Sequence, residues 1–195
     1  MDINKNSKNT YVRDEDYEKI ASRIEKEFAR KMYAEKGLQC TGVRGGMMDD
    51  IQEMALGFQY FYKMNLSKAR QLLTYTAKEY LIAINNRKEI RPYLHNYPFR
   101  IENIEIMIWV QEPSGHDVPF DKIAFMSAVD GVLSYSLPYE SGSYTREDLL
   151  EETYEEALKI IKTEESSNQS KICTVNLLCF TGNIPYTSPK RNKKE

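Results

Sequence analysis

An α+β fold, with about four helices packed on a three- or four-stranded antiparallel sheet, follows from three features of the sequence. Apolar residues recur every three or four positions through much of the first half of the 195-residue chain. From residue 104 the period drops to two. Farther on, Asp130-Gly131 separates two alternating runs, the pattern of a tight hairpin. A length of 195 residues suits one domain, and 41% hydrophobic with 29% charged residues makes a packed core affordable while excluding collagen-like, low-complexity and disulfide-scaffold classes.

Residues 1–10, rich in Asn and Lys, are expected to fray, ahead of one α+β domain over residues 11–182 and a disordered basic tail at 183–195. Residues 13–36 read as a long helix, with Tyr17, Ile20, Ile24, Phe28 and Met32 on one narrow stripe and Gly37 as its stop. Residues 41–46 then read as a flexible glycine-rich loop. It leads to a second helix near residues 48–62, with Ile51, Met54, Ala55 and Phe58 inward and Gly57 marking close helix contact. A third helix over 67–85 has Ser67 as its N-cap and buries Leu72, Leu73, Ala77, Tyr80 and Ile84. Residues 90–99 contain Pro92 and Pro98 among apolar side chains and read as a pinned loop.

Ile104, Ile106, Ile108 and Val110 alternate with Glu105, Met107 and Trp109, which predicts a strand with one face inward. Asp130-Gly131 predicts a type I′ hairpin that places Met126 and Ala128 on the same face as Leu133 and Tyr135. Thr145 through Asp148 resembles a capping box opening a last helix to about Thr163, with Leu149 and Leu150 on its inner side. Residues 172–180 read as a closing strand that buries Cys173 and Cys179.

Charge is uneven. Residues 140–165 carry nine acidic against three basic side chains, whereas residues 66–100 carry seven basic against two acidic. Those segments are expected to be complementary faces. Arg70, Lys78, Arg87, Lys88, Arg91 and Arg100 accompany Tyr75, Tyr93 and Tyr97, a mixture that suits phosphate contacts and base stacking. A sequence pI of 5.9 and the acidic last segment argue against a polyanion, so nucleic acid is not the expected partner. No apolar run reaches bilayer length, and the first residues lack an export signal's basic and apolar regions, which suits a cytoplasmic chain or one already processed.

Chemistry-bearing residues are sparse. Cys40, Cys173 and Cys179 are an odd number without CxxC spacing, against a zinc site or a disulfide framework. Gly42, Gly45 and Gly46 lack the lysine and hydroxyl of a phosphate loop, and Asp49 and Asp50 would repel a phosphate there. Asp49, Asp50 and Glu53 are too few for a hard-cation site, and His95 and His116 lack clustered partners, so no metal and no cofactor is expected. His95, held among Tyr93, Tyr97 and two prolines, is the best candidate base, with Cys40, Ser67 or Asp49 as its possible associates.

These features favour a small noncatalytic binding or protein-interaction module. Met107, Trp109 and Phe125 fall on the sheet face opposite the core and need cover, from helix 13–36 or from a protein partner or second subunit. The stripe of helix 13–36 is the other candidate surface. The alternative is a hydrolase or transferase that uses Cys40 or Asp49 with His95, and it requires those groups to share one cleft.

Overall fold

The computed structural model describes residues 16–47, 50–139 and 148–180, with 16 and 168–180 as backbone alone. The elements run α1 (Asp16–Lys36), β1 (Gln39–Met47), β2 (Ile51–Tyr60), α2 (Leu66–Asn85), β3 (Ile104–Val110), β4 (Phe125–Val129), β5 (Val132–Ser136), β6 (Asp148–Thr153) and α3 (Tyr154–Phe180). The chain divides into two compact units, one ending at Leu158 and one beginning at Lys159, so the expected domain of 11–182 takes in both. The first unit holds the whole sheet. In the second, the described residues are the continuation of α3 to Phe180.

The class is α+β, as expected, with three α-helices and a six-stranded mixed sheet in place of four helices on a smaller antiparallel one. The strands lie side by side in chain order. All neighbours are antiparallel except β2 and β3, which run parallel because α2 carries the chain back between them.

Several elements form where their local chemistry places them. Gly37, at φ +72°, takes the left-handed conformation that ends α1, and its amide closes on the carbonyl of Tyr33. α2 starts one residue earlier than expected, since Asn65 and not Ser67 is the cap: its side chain accepts from the Lys68 amide at 3.1 Å. Asp130 and Gly131 both have positive φ, so the β4–β5 turn and its register, Met126 opposite Tyr135 and Ala128 opposite Leu133, match the sequence reading. Residues 90–99 are pinned as expected, with the Asn85 side chain bonding both the amide and the carbonyl of Phe99.

Other expectations fail for identifiable reasons. The loop at 41–46 and the helix at 48–62 are instead the β1–β2 hairpin. Ile51, Met54, Ala55 and Phe58 have helical spacing, but Met54, Leu56 and Phe58 also alternate, and pairing with β3 favours the extended form. The last helix begins at Tyr154, because residues 148–153 pair with β5. The real capping box is Thr153 with Glu156: the Thr153 amide and hydroxyl each donate to Glu156 Oε2 at 2.8 Å, and the Glu156 amide donates back to Thr153 Oγ1 at 3.2 Å. The strand expected at 172–180 is helical, since no Gly or Pro interrupts the chain between Thr153 and Phe180.

One face of the sheet meets α1 and α2. Phe28 of α1 packs edge-on to Phe58 of β2 at 6.5 Å and stacks on Tyr80 of α2 at 4.7 Å, and behind them Ile104, Ile106 and Ile108 are at most 1% exposed. Burial of each such side chain stabilises the fold by about 2 kcal/mol. Ile24, Phe28 and Met32 of the α1 stripe are spent in this core, along with Glu25. Burial pushes the Glu25 carboxyl up from 4.5 to about 7, and Lys26 only partly offsets it. The fully buried Tyr80 hydroxyl has no hydrogen-bond partner among the described residues. Farther along, Arg70 of α2 bonds Glu152 of β6 at 2.7 Å, with both side chains 7% exposed.

Candidate functional site

On the reverse of the sheet, Gly57 sits beside Met107 and against the Trp109 ring. A Cβ at Gly57 would come within 3.1 Å of Trp109 Cζ3 and of Thr41 Oγ1, so the missing side chain is what lets the indole lie on β2. Phe125 of β4 holds the indole from the other side, with ring centroids 5.4 Å apart. The result is a groove of about 320 Å³ whose lining includes Thr41, Val43, Arg44, Gly57, Met107 and Trp109. Thr41, on the edge strand β1, is exposed at its rim.

The groove has a charged end. Arg44 Nη2 lies 2.5 Å from Glu105 Oε1, with the guanidinium exposed and the carboxylate buried. Glu53 is close to both. Burial first, then the Glu105 carboxylate, hold the Glu53 carboxyl above its ordinary range, while Arg44 pulls it down and Asp130 adds to the rise. Toward β6, the Ser127 and Ser134 hydroxyls bond each other at 2.8 Å. These groups can hold an apolar side chain and a charge; the lining contains no pairing of a nucleophile with a base.

The residues singled out from sequence are distributed as follows. His95 lies in the loop after a one-turn 3-10 helix at Arg91–Tyr93, and its amide bonds the carbonyl of Ile51 at the start of β2. Its Nδ1 is 2.6 Å from Oδ2 of Asp50, while Oδ1 of Asp50 is buried and without a partner among the described residues. Asp49 itself lies outside the described residues. A carboxylate on Nδ1 orients an imidazole and leaves Nε2 available, which is two-thirds of a hydrolytic triad. Cys40 is exposed on β1, pairs with Phe58 toward the far end of β2, and donates to the Gly42 carbonyl at 3.7 Å. Seven residues of strand therefore keep Cys40 about 20 Å from His95, too far to act together. The side chains of Cys173 and Cys179 lie outside the described residues. His116 is exposed and bonds Ser114.

Three arginines of the basic segment are committed within the molecule. Arg70 is buried on Glu152, Arg87 bonds Glu27, and Arg91 bonds the Asn85 carbonyl while stacking over Tyr97 at 4.8 Å. Sequence reading found Met107, Trp109 and Phe125 as a face needing cover. It missed Gly57, Arg44 and Glu105, because their roles depend on the parallel pairing of β2 with β3, and it placed interest on Asp49 one residue before the carboxylate that meets His95. A lone Glu105 in an otherwise apolar strand was the available signal. Among the described residues no group of three or more His, Cys, Asp or Glu is placed to hold a metal ion, and no helix is long and apolar enough to cross a membrane. Compared with protein-family models, curated proteins and solved structures, the chain matches none of them.

Proposed function

We propose that the chain is a noncatalytic protein-interaction module that receives an apolar side chain of its partner in the groove beside Trp109. The supporting observation is the lining itself: a glycine floor, an indole and a methionine as walls, and an exposed threonine, Thr41, at the rim, on the sheet face away from α1 and α2. Aromatic anchors beside small residues are the composition on which interfaces concentrate their binding energy. The test is photo-crosslinking of the full chain in an extract of its own cells, with benzoylphenylalanine in place of Thr41. A polypeptide adduct is expected there, lost on Trp109→Ala, and absent when the same group replaces Ile82 on α2. An adduct indifferent to Trp109, or equal labelling at both positions, removes the groove from the mechanism.

A second reading, a hydrolase or transferase centred on His95, is favoured by its 2.6 Å contact with Asp50. It requires a nucleophile or an activated water opposite Nε2. If His95→Asn abolishes the cellular phenotype while Trp109→Ala leaves it whole, this reading replaces the first.

A further inference from the structure

We infer that the segment received by this face is basic as well as apolar. The inference rests on the interaction reading above and adds the chemistry of the partner. Cross-strand register sets Gly57, Met107, Ser127, Ser134 and Glu151 in one row across the face. In the next row Arg44, Ala55 and Glu105 are neighbours, and Glu53 follows on β2. The aromatic corner at Trp109 and Phe125 thus passes over Met107 into a border of carboxylates: Glu53, Glu105 and Glu151, with Asp130 at the adjacent turn.

The counterions are unequal. Arg44 is the sole cation in the six strands, and it is 66% exposed while bonded to Glu105. Glu152, next to Glu151 on β6, points to the helix side and is neutralised there by Arg70. Among the described residues, four carboxylates against one guanidinium leave the open face negative, and an added cation would offset the Glu105 repulsion that adds to burial in raising Glu53. Arg44 already shows the contact a partner's Arg or Lys would make, with its guanidinium on the Glu105 carboxylate. A second copy is a poorer occupant, because twofold contact would set this negative border against itself. Acidic peptides and polyanions meet the same repulsion.

Trp109 is the only tryptophan, so its emission reports the groove directly. The test titrates the full chain with ten-residue peptides that alternate Leu with Lys, Ser or Glu. The Lys peptide is expected to half-saturate the emission change at a concentration about tenfold below the Ser peptide, with no saturation by the Glu peptide. Salt at about 0.5 M should remove that preference. The variant Glu53→Gln with Glu151→Gln should bring the Lys peptide to the level of the Ser peptide, and each glutamine keeps the shape of the residue it replaces. Equal binding of Lys and Ser peptides, or a Lys preference that survives in the double variant, overturns the inference and leaves the groove reading standing. If no peptide alters Trp109 emission up to about 1 mM, a range where even weak association is detected, both fail.

Discussion

The two faces of the sheet use the same strands for opposite purposes. Along β3, Ile104, Ile106, Ile108 and Val110 are at most 2% exposed under α1 and α2, while Met107 and Trp109 on the reverse remain half-buried. On the covered face most side chains are large, and on the open face Gly57, Ala55, Ser127 and Ser134 alternate with two aromatic rings. The contrast separates what keeps the chain folded from what remains to contact another molecule. Branched and aromatic side chains fill space between layers, whereas small residues beside one indole leave space unfilled.

Substitutions on the two faces should therefore differ in kind. Phe58→Ala, which removes the ring against Phe28, should cost about 4 kcal/mol in urea unfolding. A cost below about 1 kcal/mol would show that the covered face is not the folding core. Arg70→Met should cost about 3 kcal/mol by stranding Glu152, and adding Glu152→Leu should restore most of it; a double variant as unstable as the single one refutes a buried pair.

Glu25 should act in the other direction. Its carboxyl, raised to about 7 in the fold, binds a proton there that the unfolded chain releases near 4.5, so its contribution to stability is present below 4.5 and is lost as pH climbs through 7. Glu25→Gln should then be more stable than the parent by about 2 kcal/mol at pH 8 and indistinguishable from it near pH 4. A gap independent of pH would mean that the carboxyl is solvated. The smallest stability effect belongs to the open face: Trp109→Ala should cost about 1 kcal/mol yet abolish the crosslink from position 41. If it unfolds the chain instead, the two faces share one role.

The same contrast governs what the sequence discloses. α2, β3 and the β4–β5 turn are legible because each carries its own signal within a few residues: an apolar 3.6-residue period, strict alternation, and Asp130-Gly131. β2 is less so. It is interior to the sheet, so Ala55 is 3% exposed although it points to the open side, and burial on both sides blurs the alternation into helical spacing. β1 has no apolar face to read, being exposed from Gln39 to Gly46. Of the site, the large side chains Met107, Trp109 and Phe125 were readable from alternation alone. Gly57, Arg44 and Glu105 became neighbours only through pairing across more than forty residues of intervening chain.

That long-range seam also sets an order of events during folding. The β1–β2 and β4–β5 hairpins join residues close in sequence and can zip early, whereas β2 and β3 meet only after α2 has traversed the sheet and closed a large loop. Trp109 stands on that seam, pressed to Gly57. The chain's lone indole therefore works as a clock for assembly of the molecule's centre before it works as a gauge of occupancy.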